Sequence, residues 1–381
     1  MKMRALDLVI VGGGLAGGLS ALALRRRRPD VRLLLVEPGS SIGGNHLWSF
    51  FESDVAPGNR WLTDPLVGHR WPAYEVLFPA HRRHLDQVYQ TIESEALDRA
   101  VRAALAPDEI MQAEVTSLGP THVLLADGRR IEAPAVLDAR GGKAEGLELG
   151  WQKFVGQLLT IPQGHGLAHP IVMDATVEQH DGYRFVYCLP FSPTELFVED
   201  TYYSDGPEID HDLLATRIGD YAAARGWQVA SRSREEQGAL PVVTGGDFDR
   251  LWPKHDPVAR AGARGGFFHP LTSYSLPDAV RFAVWLADKA PLDGRLGAAT
   301  RARARRHWKR GAFYRLLTAL LFHAADPHQR YLVLERFYRL SGPLIARFYA
   351  GTSTGLDKAR VLSGKPPVPF FRALRVLKDS L

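Results

Sequence analysis

The stretch LDLVIVGGGLAGGLSALAL (residues 6–24), with RLLLVE (residues 32–37) after it, decides the fold. Leu6–Val11 is a short apolar run suited to a strand buried on both faces. Leu19–Leu24 carries its apolar residues at helical spacing, and Arg32–Glu37 reads as a second buried strand. Strand, glycine turn, helix and strand form a dinucleotide-binding unit of Rossmann type. The pattern G-x-G-x-x-G falls on Gly12, Gly14 and Gly17, with Leu15 and Ala16 opening the helix. Gly12 permits the tight turn, Gly14 leaves room for a pyrophosphate, and Gly17 lets the helix approach the strand. The free N–H groups and positive end of that helix receive the phosphate charge. Glu37, 20 residues beyond Gly17, ends the second strand, where a carboxylate accepts hydrogen bonds from ribose hydroxyls.

SIGGNHLWSF (residues 41–50) follows. It resembles the segment after the second strand in FAD-dependent oxidoreductases, where a Gly-Gly pair passes the flavin. FAD rather than NAD is therefore the expected dinucleotide, with Gly44, Asn45 and His46 beside it. His46 reads equally as a flavin-side residue or a surface histidine. Further on, Asp127-Gly128 is a two-residue hairpin signal, and Ala135–Gly142 is a buried strand running into glycines. Ile171–Val177, Tyr183–Leu189 and Glu195–Tyr203 are strand-like; Ile209–Arg225, Asp278–Lys289 and residues 300–350 read as helical. The expected class is α/β with α+β elements. An FAD-binding domain takes residues 1–55, 90–155 and 250–300. A β-rich substrate domain takes 56–89 and 156–249, and a basic helical C-terminal region takes 301–381.

The chain has 381 residues, 45% apolar and 23% charged, which excludes disorder of the whole chain. Cys188 is the only cysteine, so an intramolecular disulfide framework and a multi-cysteine metal site are excluded. It reads as a buried thiol of an intracellular protein. No run reaches the roughly 18 apolar residues of a membrane span, and the N-terminus lacks the long apolar core of a signal peptide. Residues 301–381 hold 17 Lys and Arg against 4 Asp and Glu, a net of +13, whereas residues 1–300 hold 30 against 38. A basic tail on an acidic body points to an anionic surface. Apolar segments such as Phe313–Phe322 favour lipid over nucleic acid; a soluble helical bundle with a basic outer face is the other reading. The expected location is cytoplasmic, on the inner face of the cell membrane.

Nine blocks carry a more specific signal. They are GGGLAGG (12–18), GGNHLWSF (43–50), MDATV (173–177), GYRFVYCLP (182–190), FVEDTYY (197–203), REEQGALP (234–241), GFFHPLTSYSLP (266–277), RFYAG (347–351) and LSGKPPVP (362–369). Together they resemble, nearly end to end, the bacterial lycopene β-cyclases of carotenoid biosynthesis. The resemblance implies a fold related to FAD-dependent aromatic hydroxylases. It implies reduced FAD as cofactor without net redox change, with NADPH only as reductant of the flavin. Its substrates are lycopene and other linear carotenoids, taken from a membrane of anionic lipid.

Closing a ψ end group to a β-ionone ring requires a proton on C2. A tertiary cation forms at C1, the C5=C6 bond attacks it, and a C6 proton is lost. The protein must supply an acid, a cation stabiliser and a dry pocket. Strand alternation puts Phe197, Glu199, Thr201 and Tyr203 on one face, and Leu196, Val198 and Asp200 on the other. An acid between Phe197 and Thr201 is where burial would raise a pKa, and the essential glutamate of the cyclases maps onto Glu199. Asp200 reads as structural. Glu235 and Glu236 are a second acidic pair on opposite faces; either one pairs with an arginine and orders the site, or both lie on the surface. Tyr183, Phe185 and Tyr187 alternate along one face, as tunnel wall or as plain core.

Gly266–Pro277 corresponds to the late flavin contact, with Gly266, His269, Pro270, Thr272 and Tyr274 as the expected cofactor residues. Ala263 stands where the hydroxylases carry an aspartate, which the cyclases also tend to lack. Ser273 stands where the cyclases usually show a glycine beside the flavin. A flavin monooxygenase or prenyl reductase on the same scaffold is the alternative function. A non-catalytic carotenoid carrier would need neither the glycine pattern nor Glu37.

Overall fold

The computed structural model describes residues 6–142, 145–364 and 368–379; Lys365, Pro366 and Pro367 of the proline-rich block lie outside them. Leu8–Val11 is the centre of a five-stranded sheet, with Leu33–Glu37 on one side and Ala135–Asp138 on the other, both parallel to it. Its alternating side chains feed two cores. Leu8, Ile10, Leu33 and Leu35 pack under the helices Leu15–Arg27 and Leu276–Lys289. Val9, Val11, Leu34 and Val36 pack under the antiparallel strands at 115–132. A parallel sheet covered on both faces needs such continuous apolar strands. The glycine turn is sterically specified. Gly12 has φ +102°, and a Cβ on Gly17 would lie 1.9 Å from the Gly12 carbonyl oxygen.

The second layer is a seven-stranded sheet. Its order is Ser231–Gly246, Leu147–Thr160, Glu195–Ser204, Tyr183–Pro190, Ile171–Asp174, Tyr74–Phe78 and His81–Leu85. The domain boundary expected at residue 155 falls inside Leu147–Thr160. This long strand pairs along its length with Glu195–Ser204 on one side and Ser231–Gly246 on the other. The chain therefore changes sheets before residue 147, and the ladder carries it on without a break. One face of this sheet packs on the helix His211–Ala224 through Val155, Val186, Val198 and Ile218. Cys188 is buried there, and burial pushes its thiol up to about 12. The other face carries Phe185, Tyr187, Phe197 and Tyr203 and meets the C-terminal helices through Phe322, Phe337, Phe348 and Tyr349.

The apolar run at 313–322 does not present a free lipid-facing surface. It forms the helix Ala312–Ala319 and a following π-turn, with Tyr314, Leu321 and Phe322 buried against the sheet. The strongly exposed large apolar residues of the tail lie further on, at Leu356, Leu362, Phe371 and Leu374. Among the described residues no helix is long and apolar enough to cross a membrane.

Arg330 fastens the tail to the sheet. It is 1% exposed and donates to the carbonyls of Tyr203 (3.1 Å), Leu321 (3.2 Å) and Phe322 (3.0 Å) and to Asp205 (2.9 Å). Removing the guanidinium leaves those carbonyls without donors in a dry layer. Arg330→Ala is expected to lower stability by about 3 kcal/mol or more, read as a shift of the urea midpoint with little change in slope. A shift below about 0.5 kcal/mol would show that the tail is held elsewhere.

Candidate active site

The register of the long strand assembles the acids. Gly156 lies opposite Glu199 on one neighbour and opposite Glu236 on the other. Directly paired residues share a face, so both carboxylates point to the same side of the sheet, with Cα atoms roughly 10 Å apart. A Cβ on Gly156 would lie 2.3 Å from the ring of Phe197, so the missing side chain makes room for that ring between the acids.

Glu199 lies deep in the protein and keeps part of its surface accessible. Burial pushes its carboxyl up to about 8; the hydroxyl of Thr201, donating at 2.6 Å, opposes the shift, and the charges of Glu236 and Asp200 add to it. Opposite Glu199 in the ladder is Tyr187. Tyr187, Tyr203, Tyr274 and Tyr349 line a largely apolar cavity of about 440 Å³ together with Leu321, Phe337, Phe348 and Val361, and with Leu362 and Leu377, which are exposed. Burial raises all four phenols, so they stay neutral. Tyr274 stands within 3.3 Å of the Tyr89 hydroxyl and 3.4 Å of the Tyr187 hydroxyl. Tyr183 and Phe185 pack in the same layer without lining the cavity.

Asp200 faces the opposite core. Arg184 donates to it at 2.8 Å and the Tyr202 hydroxyl at 2.6 Å. The second acidic pair divides in the same way, but neither member meets an arginine. Glu236 is buried, facing His46 Nδ1 at 2.9 Å and accepting from the Leu47 N–H at 3.0 Å. Glu235 turns outward to Gln157 (2.7 Å) and His211 (2.6 Å), away from Glu199, and these partners hold its carboxyl below the usual range. The expected arginine partner is thus replaced by a histidine, because Arg234 is taken by Glu93 and Glu95.

The nucleotide residues form a cradle. Gly14 caps the helix Leu15–Arg27 with no side chain on its N–H groups, and a Cβ there would meet nothing within 4 Å. Leu15 and Ala16 are its buried first residues. The Glu37 carboxylate accepts from the Gly13 N–H at 2.7 Å and the Gly39 N–H at 2.9 Å. Beside it is a cleft of about 270 Å³ lined by Gly39, Ile42, Arg102 and Met111. Open space at the helix N-terminus and a nucleoside-sized cleft beside Glu37 fit an adenine dinucleotide. Asn45 donates to the Glu235 carbonyl at 2.7 Å, tying the Gly43–His46 turn to the second sheet.

The late loop closes the site from the other side. Gly266 adopts a left-handed conformation, and the Pro270 carbonyl accepts from the Val243 N–H at 2.7 Å. Thr272 is buried and lines the aromatic cavity. His269 is buried on a neighbouring wall, its imidazole pushed down to about 3 by burial. Ser273 keeps the conformation a glycine would favour, with φ +56°, and its hydroxyl donates to the Pro241 carbonyl. Sequence reasoning missed Gly156, Tyr349 and Asp54. Burial pushes the Asp54 carboxyl up to about 7, and it accepts from the Phe51 N–H at 3.0 Å.

A dinucleotide fold joined to an aromatic cavity with a buried acid defines a flavoprotein-type architecture, and solved structures agree. A geranylgeranyl bacteriochlorophyll reductase-like protein from Thermoplasma acidophilum superposes with TM-score 0.63 at 12% identity, covering 100% of each chain. A flavin-dependent halogenase from Xanthomonas campestris gives TM-score 0.59 at 14% identity, over 99% of this chain and 94% of that one. A family model described as lycopene cyclase protein matches residues 7–375. A lycopene beta-cyclase of Pseudescherichia vulneris is 47% identical, over 97% of this chain and 96% of that one. Another, of Pantoea ananas, is 44% identical over 97% of each. The chain belongs to the lycopene cyclase family.

Left-handed backbone at a non-glycine residue costs roughly 1–3 kcal/mol, and a hydrogen bond such as that of Ser273 returns about 1. Ser273→Gly loses both terms, so its stability is expected within about 1 kcal/mol of the parent. Ser273→Val keeps the strain, adds a β-branch and loses the bond, and should fall by about 2 kcal/mol or more. Urea midpoints of the two variants test this; equal values would mean that the loop relaxes freely.

Proposed function

We propose that the chain is a lycopene β-cyclase that closes ψ end groups to β-ionone rings by acid catalysis without net redox change. The observation that carries the reading is Glu199, a carboxyl held protonated near neutral pH on the face of the sheet that walls an apolar, aromatic cavity. The Glu199 hydroxyl gives its proton to C2. The C1 cation then lies among neutral phenol rings, whose faces stabilise positive charge. The Glu199 carboxylate, ionised by that transfer, adds electrostatic stabilisation. The C5=C6 electrons close the ring, and the C6 proton returns to the same carboxylate, because C2 and C6 flank C1. Atoms and charge balance, and Glu199 ends as it began. Apolar walls keep water from trapping the cation as an alcohol.

In this reading Gly12, Gly14, Leu15, Ala16, Gly17 and Glu37 would hold FAD, together with Gly44, Asn45, His46, Gly266, His269, Pro270, Thr272 and Tyr274. Bound and reduced, FAD would supply electron density that stabilises positive charge, and NADPH would serve only to reduce it. Glu236 is a positioning residue, orienting His46 and the Leu47 backbone. The nucleotide sheet is the cofactor unit and the seven-stranded sheet the substrate unit. The cavity takes one end group, and the rest of the carotenoid leads out past Val361, Leu362 and Leu377. A monooxygenase or prenyl reductase would consume reductant with each turnover.

The protein works at the cytoplasmic face of a membrane. Phe371, Leu374 and Leu377 are exposed on the C-terminal helix Phe370–Asp379, interleaved with Arg372, Arg375 and Lys378. That mixture suits the headgroup boundary of an anionic bilayer.

Glu199→Gln is expected to leave folding and FAD content intact and to lower ring formation 100-fold or more. The assay is anaerobic, with lycopene and reduced FAD, and many rings should form for each NADPH oxidised. Asp200→Asn breaks a buried ion pair, so it should lose stability yet keep activity per folded flavoprotein within a few-fold. Because the acid form is the active one, the parent rate should be level below pH 8 and fall tenfold per unit above it. Normal turnover by Glu199→Gln at matched flavin content removes this residue from the mechanism.

Each basic residue near an anionic bilayer contributes about 1 kcal/mol at low salt. Reversing Arg372, Arg375 and Lys378 to Glu should weaken co-sedimentation with phosphatidylglycerol vesicles at least tenfold. Phe371→Ser with Leu374→Ser should weaken it even in high salt. Unchanged binding by both variants would assign membrane contact to another face.

A further inference from the structure

A second cavity, of about 160 Å³, lies where the helices Leu276–Lys289, Leu296–Arg310 and Ala312–Ala319 meet the end of Gly342–Tyr349. Arg281, Arg303, Arg306 and Arg310 line it. Asp278 is the only carboxylate in its wall, and it is already engaged. Arg281 donates to it at 3.2 and 2.9 Å, and His307 Nδ1 lies 3.5 Å away. Arg303 makes one hydrogen bond, to the Arg281 carbonyl at 2.8 Å, and its guanidinium lies 5.1 Å from the Trp285 ring. Among the described residues, Arg306 and Arg310 have neither a hydrogen-bond acceptor nor an ion-pair partner.

On the other side of the same helix, Arg301 and Arg305 share Asp249, each at 2.6 Å. The face toward the cavity lacks that compensation. Its burial, with the charges of Arg306, Arg281 and Arg310, pushes Arg303 down to about 10 against the pull of Asp278. Like charges gathered around one cleft repel one another unless a counter-charge joins them.

His269 adds an independent observation. Its Nδ1 accepts from the N–H groups of Leu271 and Thr272, both at 3.3 Å, so the ring proton is assigned to Nε2. That Nε2 is buried and makes no well-aligned hydrogen bond, although the Phe348 backbone is within its reach, and the residue is only 5% exposed. His269 belongs to the same cavity wall. A buried, poorly satisfied donor in the same wall as four guanidiniums that have one carboxylate among them favours an oxyanion.

We propose that this cavity binds the phosphate group of a small ligand. Its volume admits a phosphate group but not a whole nucleotide, which needs several hundred Å³; the rest of the ligand therefore lies outside, past Arg306 and Arg310. Tyr274 and Tyr349 line both this cavity and the aromatic one, so the two sites share a wall. The proposal needs only the arginine cavity and stands whether or not the chain is a cyclase.

The test uses the full FAD-loaded chain and isothermal titration with three pairs of probes. The pairs are inorganic phosphate against chloride at fixed ionic strength, NADP⁺ against NAD⁺, and dihexanoyl phosphatidylglycerol against dihexanoyl phosphatidylcholine below their micelle concentrations. At least one phosphate-bearing probe should bind the parent and bind Arg306→Gln/Arg310→Gln at least tenfold more weakly. These two side chains are exposed and unpartnered, so the variant should fold as the parent does. Arg303→Met, which keeps the stem over Trp285, should weaken the same probe alone. NADP⁺ over NAD⁺ identifies a nucleotide phosphate, and phosphatidylglycerol over phosphatidylcholine a lipid headgroup. Inorganic phosphate binding as tightly as either identifies the free ion. Absence of binding by every probe, or equal binding by parent and both variants, overturns the proposal.

Discussion

The double pairing of Leu147–Thr160 is the constraint on which the site depends. This strand is bonded along its length to neighbours on both sides, so its register sets which residues of three strands share a face. A slip of one residue would turn Glu199 into the core now occupied by Asp200 and Arg184. It would also place a side chain where Gly156 leaves space for Phe197. The apolar content of both faces resists that slip. Val155 and Leu159 belong to the helix-covered core, while Phe197 and Tyr203 belong to the aromatic one.

One strand thereby holds two acids with different partners, and burial pushes both carboxyls above the usual range. Asp200 is buried with an arginine and a tyrosine donor, and the pair anchors the sheet to its helix layer. Glu199, one residue earlier, lies opposite Tyr187 and accepts from one threonine hydroxyl, and among the described residues it has no ion-pair partner. Burial without a counter-charge keeps a carboxyl protonated, and burial with one lets it ionise. Strand alternation allows both treatments within two consecutive residues.

Legibility in the sequence followed the range of the interactions. The strand–glycine–helix–strand unit was readable because turn, helix cap and close packing are all set within about 30 residues. Glu199 was readable from alternation together with family resemblance. The division between Glu235 and Glu236 was not, because adjacency along a strand says only that two side chains diverge. Which of them faces Glu199 depends on register with Gly156, some 80 residues earlier. His46 had no local signal as the partner of Glu236, and the expected arginine was already engaged. The tail misled for a different reason. An apolar run that walls a cavity and one that meets lipid have the same composition, so Phe313–Phe322 was indistinguishable from a membrane-facing helix until its neighbours were placed. Ser273 shows the converse. It departs from the expected glycine, yet the loop keeps the backbone a glycine would adopt, because a hydroxyl–carbonyl bond offsets the strain.

The C-terminal region is then part of the wall of the aromatic cavity rather than an appendage. Without Phe337, Phe348 and Tyr349 the aromatic face of the sheet would be open to water. The same helices carry the basic residues that distinguish this region from the rest of the chain. Arg330 is the exception that joins these roles. It is a cation turned inward, satisfied by three carbonyls and a carboxylate, and it holds the π-turn bearing Phe322 against the strand that carries Tyr203. Exclusion of water from the cavity therefore rests on a polar contact at its edge. An apolar replacement at that position would keep the volume but leave the carbonyls unpaired, loosening the wall where dryness matters most.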